Sequence, residues 1–366
     1  MGYLQTIKIA ILVFPLVAFL FTIPFILSQY HRYGSINKLR VLIIYSFILY
    51  LMIIYFLVIL PLPSRQDVLL MPDKKPNFQL FQFITDIVKE SSFRYYDVST
   101  YLKALKEPCI YTVIFNIFMT VPFGMYLHYY FKCSLGKTVS YSFLLSLFFE
   151  LTQLTGLYFI YPKAYRLFDV DDLLMNTLGG VVGYYLMNLF KPLLPSREKI
   201  DEDSMIKGMN VSTLRRITLF FLDNCIVGIL ITFGNLVYRS KWLSLGIFLV
   251  YYVLTPLINK NRTIGSKFLN IEFAASKYLI VKLFLRAILP YLYFLGLPFL
   301  VSLIVMMISS YINEFTIKFI LIVFLILGWL YFYLKTFINF FKTKKMVYDR
   351  LSKVDLVSTI SLKNSK

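Results

Sequence analysis

The run FELTQLTGLYFIYPKAYRLFDVDDLLMNTLGGVVGYYL, residues 149–186, gathers the side chains best suited to chemistry. Glu150 and Gln153 stand three residues apart, so both fall on one face of a helix, inside an apolar stretch. An ionisable group at that depth is costly unless it faces a bundle interior or a wet cavity. A carboxylate and an amide placed there can bind a polar or cationic head, move a proton, or hold a hard cation such as Mg²⁺. Arg166, Asp169, Asp171 and Asp172 follow, a cation and three carboxylates where the chain re-enters an apolar layer. Asp172, Asn176, Gly179, Gly180 and Gly183 then form one stripe of the next helix. The expectation is one charge-balanced cluster of Glu150, Gln153, Arg166, Asp169, Asp172 and Asn176, open to the outer surface.

Each residue also has a plainer reading. For Glu150 it is a buried carboxyl, neutral or bonded to Gln153, that only fixes helix packing, although a charged group within a span marks a site by default. Asp169 and Asp171 suit the N-cap and first turn of a helix, where carboxylates meet orphan N–H groups and the positive end of the dipole. For Arg166 it is an exposed loop cation, against which an arginine beside three carboxylates is expected to pair with one of them. Gly179, Gly180 and Gly183 are expected to let a neighbouring backbone approach rather than to touch a ligand.

The elements that must position these groups are membrane helices. Of 366 residues, 58% are hydrophobic and mean hydropathy is +0.70, which excludes a water-soluble globular class. The net charge of +19 sits in short loops and the C-terminal tail, a positive-inside pattern rather than a nucleic-acid surface. Cys109, Cys133 and Cys225 have no metal-like spacing, and His31 and His128 are the only histidines, so no metal site and no cofactor is expected. The fold class is therefore an all-α, polytopic helix bundle of about nine spans in two modules. Five spans are read at Ile7–Leu27, Val41–Leu60, Cys109–Phe131, Thr138–Tyr161 and Val170–Phe190. Four more follow: one reaching Val237, then Trp242–Ile258, one within Lys277–Ser310, and Phe315–Leu334.

Sidedness follows from charge. Arg32, Lys38 and Arg40 mark the first loop as cytoplasmic, which puts the N-terminus outside. Ser64–Glu107 carries seven basic against six acidic residues and fits the outer face, with an amphipathic stripe at Leu80, Phe83, Ile84, Ile87 and Val88. Lys277–Ser310, 34 apolar residues, would extend about 50 Å as helix, which suits an interfacial helix plus one crossing or a hairpin broken at its prolines. One crossing keeps the tail inside, where its eight basic against two acidic residues can meet anionic lipid. The expected domains are residues 1–190, a polar cytoplasmic linker at 191–213, a second membrane domain at 214–335 and a basic cytoplasmic tail at 336–366.

Two resemblances add to this reading. Glu150-x-x-Gln153, Arg166, Asp169, Asp172, Asn176-Thr177, Gly179-Gly180 and Gly183, with Asn116 and Pro122-Phe123-Gly124 upstream, resemble the VanZ-like membrane proteins over about residues 1–190. That family's founding association is with resistance to the glycopeptide teicoplanin, which implies a cell-envelope role in a Gram-positive bacterium. Residues 210–335 are similar to the RDD family of small membrane domains. The likeness rests on Arg216 and Asp223 in one helix, the loop Arg262-Thr263-Ile264-Gly265-Ser266-Lys267, and Arg286. It departs at Asn261, where a glycine is usual, and a second aspartate of that pattern is not evident. Arg216 and Asp223, two turns apart on one face, suit a structural ion pair.

Three function classes remain. The first is a non-enzymatic membrane factor whose polar cluster binds an amphipathic or lipid-linked small molecule, with membrane lipids as its surroundings and no nucleic-acid partner. The second is a transporter, since the RDD resemblance implies cation–proton exchange. The third is an enzyme acting on a lipid-linked headgroup, against which stands the absence of any activated Ser, Cys or His nucleophile.

Overall fold

The structure, a computed structural model, describes residues 3–274, 277–312, 314–343 and 345–361. Lys344, Lys363 and Lys366 of the basic tail lie outside the described residues. The fold is an all-α polytopic bundle: eight helices among the described residues are long and apolar enough to cross a membrane. They are α1 (Tyr3–Tyr33), α2 (Lys38–Ile59), α4 (Pro108–Tyr129), α6 (Val170–Phe190), α8 (Thr213–Val237), α9 (Lys241–Ile258), α10 (Leu279–Tyr311) and α11 (Phe315–Thr343). The remaining span read from the sequence is helix α5 (Leu135–Leu154). Its buried Thr138, Ser142, Ser146, Glu150 and Gln153 lower its hydropathy, so it is not among the eight. Shorter helices are α3 (Gln82–Glu90), α7 (Arg197–Gly208) and α12 (Val347–Ser352).

The chain divides into two compact units, residues 1–22 with 38–200, and residues 23–37 with 201–366. In the first, α4 opens with Pro108 at its first turn, where the missing N–H costs nothing and the fixed φ suits the helix. Helix α6 opens on Asp169, whose side chain accepts from Asp171 N at 2.9 Å, with Asp171 and Asp172 in the first turn. Helices α4 and α6 run parallel in one register. Asn116 meets Asp172 and Thr120 meets Asn176, each 56 residues on, and Gly124 meets Gly180 and His128 meets Tyr184 at the same offset. Helix α5 lies antiparallel to α6, with Ser146 against Asn176 and Ser142 against Gly180. Leu12, Leu16 and Phe19 of α1 are left exposed, a face suited to lipid rather than water.

The second unit holds α8 to α12 and one small sheet. Helix α10 is continuous over 33 residues, so its prolines do not break it into a hairpin. A π-turn at Leu292–Gly296 precedes Pro298 in α10, and another at Val250–Leu254 precedes Pro256 in α9. Proline removes a donor and crowds the preceding turn, and a wider turn accommodates both. Strand β1 (Ile271–Ala274) pairs antiparallel with β2 (Asp355–Ser358), Ile271 opposite Ser358 and Ala274 opposite Asp355. Leu356 and Val354 thereby join Tyr30, Leu219, Leu269, Ile271, Phe273 and Leu283 in a buried cluster. Part of the basic tail is thus folded into this unit's core.

Candidate functional site

The polar stripe of α5 and the first two turns of α6 face one another across a cavity of about 300 Å³ in the first unit. Glu150, Gln153, Arg166, Asp172 and Asn176 all line it, together with Asn116. Glu150 is 2% exposed, and its Oε2 accepts from the backbone N–H of Asp169 at 3.0 Å. Asp172 Oδ1 accepts from Asn116 Nδ2 at 2.5 Å. The other oxygen of each carboxylate has no hydrogen bond among the described residues. Asn176 donates to Ser146 Oγ at 2.9 Å, and its buried Oδ1 is unpartnered. Two carboxylates and a spare amide oxygen thus leave acceptor capacity on one cavity wall, inside apolar helices where unmet capacity is expensive.

Arg166 does not pair with either carboxylate. Its Nη2 donates to the carbonyl of Leu60 at 2.5 Å, just past the end of α2. Gln153 Nε2 donates to Val58 O at 3.3 Å and Tyr165 OH to Ile59 O at 2.9 Å. Three successive carbonyls, which the end of any α-helix leaves without internal partners, are met by three side chains. A guanidinium also suits the negative end of a helix dipole. The expected Arg–carboxylate pairing gives way to this capping role, although Arg166 still lines the cavity.

Asp169 lies off the cavity as the N-cap of α6, where its Oδ1 also accepts from Asn77 Nδ2 at 3.2 Å. Asp171 points to the long loop between α2 and α4. Its two oxygens accept from Phe81 N at 2.7 Å and Phe83 N at 3.0 Å, at the start of α3. Asp171→Ala would strand both donors at about 1–3 kcal/mol each where water cannot reach them. Trypsin should then cut at Lys89 faster than in the parent protein; an unchanged rate would mean that α3 is held by other contacts. Lys163, in the same turn as Arg166, donates to Met71 O and to Asp73 Oδ1 at 2.9 Å, which holds the Asp73 carboxyl below its ordinary value.

The sequence reading carries α5 on to Tyr161, but the helix ends at Leu154. Gly156, Leu157, Tyr158 and Phe159 all have positive φ, 58°, 57°, 53° and 68°. For the three non-glycine residues this costs roughly 1–2 kcal/mol each. The chain turns sharply there, which brings the Arg166 segment back over the end of α2.

The glycines belong to packing. A Cβ on Gly179 would stand 2.2 Å from Ile117 O, on Gly180 2.0 Å from Ser142 Oγ, and on Gly183 2.0 Å from Val121 O.

In the second unit Arg216 does not pair with Asp223. Asp223 accepts instead from Tyr251 OH at 2.7 Å and Thr263 Oγ1 at 2.9 Å. Arg286 Nε donates to Asp349 Oδ1 at 2.9 Å, and Arg216 Nη1 lies 3.6 Å from Asp349 Oδ2. Asp223 and Arg286 share the wall of a cavity of about 20 Å³, room for about one water. Arg262 and Lys267 stand apart from this cluster: Arg262 Nε is buried without a partner and Lys267 is exposed. Asp349, Tyr251 and Arg215, which donates to Leu269 O, Asn270 O and Gly208 O, are the structural residues that sequence spacing does not single out. Among the described residues no three His, Cys, Asp or Glu side chains gather as metal ligands.

Residues 47–191, which include every charged group lining the cavity of about 300 Å³, match the family model described as VanZ/LLP1. No curated protein and no solved structure gives a significant match to the chain.

Proposed function

We propose that the chain is a non-enzymatic factor of the cell membrane whose first unit binds the donor-rich polar head of an amphipathic or lipid-linked molecule. The observation that carries this is the cavity of about 300 Å³ whose Glu150 and Asp172 each keep one carboxylate oxygen unpaired. Hydroxyl or ammonium groups of a ligand would meet those acceptors, while the ligand's apolar part stays among lipid-facing helices. The VanZ-like match over residues 47–191 supports lipoglycopeptide resistance, teicoplanin in the first place, as the phenotype. In this reading the cavity opens to the outer face, with the N-terminus outside and the C-terminus in the cytoplasm.

A second reading, cation–proton exchange by an RDD-like second unit, draws on Asp223. That carboxylate is held by two neutral hydroxyls rather than by a cation. It is the alternative if the first fails.

The test is the susceptibility of cells to a lipoglycopeptide when they express Glu150→Gln, Asp172→Asn or both. Each change is nearly isosteric, removes the charge and turns one acceptor oxygen into an N–H donor. Protection should fall to the level of cells without the protein in the double variant, at unchanged membrane abundance. Full protection by the double variant would overturn the reading.

A further inference from the structure

At the far end of α4 and α6 a second, chemically opposite site is built. Lys191 stands nineteen residues after Asp172 on one helix, about 28 Å along the axis, close to the thickness of a hydrocarbon layer. There the ends of α4 and α6, the start of α5 and the first turn of α7 surround a groove of about 490 Å³. His128, Lys132, Lys191, Arg197, Glu198 and Ser134 line it. Three of these side chains, Lys132, Lys191 and Arg197, carry positive charge.

The cations converge rather than disperse. The Lys191 ammonium lies against His128 Nε2, which also sits 2.9 Å from Asn188 Oδ1. One ring nitrogen serves only one of them at a time, as an acceptor for lysine or a donor to the amide. Its Nδ1 is buried without a partner. Arg197 is fixed by its bond to Tyr130 O at 2.7 Å and lies 4.3 Å over the Tyr130 ring, so one edge of the groove is rigid. Lys132 pairs with Glu198. Favourable dipole contacts explain one cation per helix C-terminus, but not this concentration. Ser134 begins α5, and its side chain does not cap the first N–H groups, which adds donors to the same side. Phe190 and Leu193 are exposed beside the groove, an apolar rim suited to acyl chains.

We propose that this groove binds the phosphate of an anionic amphiphile at the membrane surface opposite the Glu150 cavity. Basic pockets between membrane helices on the positively charged side favour phosphate headgroups, at about 1 kcal/mol per nearby lysine, or roughly fivefold in affinity. The site is separate in place and charge from the acidic cavity, so either can fail without the other.

The experiment measures the thermal stabilisation of the full-length detergent-solubilised protein by added phosphatidylglycerol, phosphatidylcholine or inorganic phosphate. Phosphatidylglycerol should stabilise and phosphatidylcholine should not, and Lys191→Gln should weaken the apparent affinity for phosphatidylglycerol about fivefold. Lys199→Gln, an exposed change on α7 outside the groove lining, should leave it unchanged. Inorganic phosphate that stabilises as strongly, with the same loss in Lys191→Gln, would keep the phosphate site and assign it a soluble ligand. Equal loss in Lys199→Gln, or no response to either anion, would overturn the proposal.

Discussion

Asp349→Ala should unfold the second unit, and it should do so although Asp349 lies in the tail beyond the last long helix. The side chain is 2% exposed and stands between Arg286, 7% exposed, and Arg216, 8% exposed. Removing it takes away the carboxylate that both buried guanidinium groups contact directly. Breaking a buried pair from one side typically costs about 3–5 kcal/mol. That is a large share of the stability of an ordinary domain. The expected result is a sharp fall in membrane abundance and in the thermal midpoint of the solubilised protein. Asp349→Asn, which keeps the shape and loses the charge, should be nearly as harmful. Combining Asp349→Leu with Arg286→Met and Arg216→Met should recover more than half of the loss, because apolar replacement of all three partners leaves no stranded charge. If Asp349→Ala melts like the parent protein, the two arginines reach water and the tail is only an appendage.

The tail's role also shows where sequence reading stops. Eight basic residues in 335–366 read as a solvated, lipid-touching tail, because charge counts average over the segment. Asp349 is one of only two acids there, and its partner Arg286 is 63 residues away. No local period links them. The polar stripe of α5 was legible for the opposite reason. Glu150 and Gln153 interrupt an apolar run, and polar groups there are rare enough that each marks an inward face.

Arg166 falls between these cases. Its place beside the cavity follows from the short connection between α5 and α6, and its partner does not. The carbonyl of Leu60 becomes available only because α2 ends there, and a sequence does not say whether an arginine meets a carboxylate or an orphan carbonyl. The glycine row was readable as a close approach, from Gly179 and Gly183 four residues apart. Which helix approaches was not, because α4 and α6 are separated by α5 and pair in parallel. Asn116 and Gly124 carry that information only once the constant offset of 56 residues is seen.

That offset makes Gly124 the position where the smallest substitution should have the largest consequence. A Cβ on Gly124 would stand 1.9 Å from the carbonyl oxygen of Gly180, 2.8 Å from its carbon and 3.0 Å from its Cα. All three are backbone atoms, so no side chain can swing aside, and α4 and α6 must separate or tilt. Overpacking a close contact costs about 1–3 kcal/mol where neighbours can adjust, and here the adjustment is a helix displacement. Two turns earlier, Asn116 and Asp172 meet across the same pair of helices, so a displaced α4 loses that bond and widens the acidic cavity. Gly124→Ala should therefore lower both the thermal midpoint and lipoglycopeptide protection, and Gly183→Ala, facing Val121 O at 2.0 Å, should resemble it. Gly246→Ala and Gly136→Ala meet nothing within 4 Å. Those two should be neutral or stabilising by up to ~1 kcal/mol, as alanine replaces glycine in a helix. A Gly124→Ala protein that melts with the parent and still protects would mean that α4 and α6 do not approach this closely, and the cavity between their first turns would lose its frame.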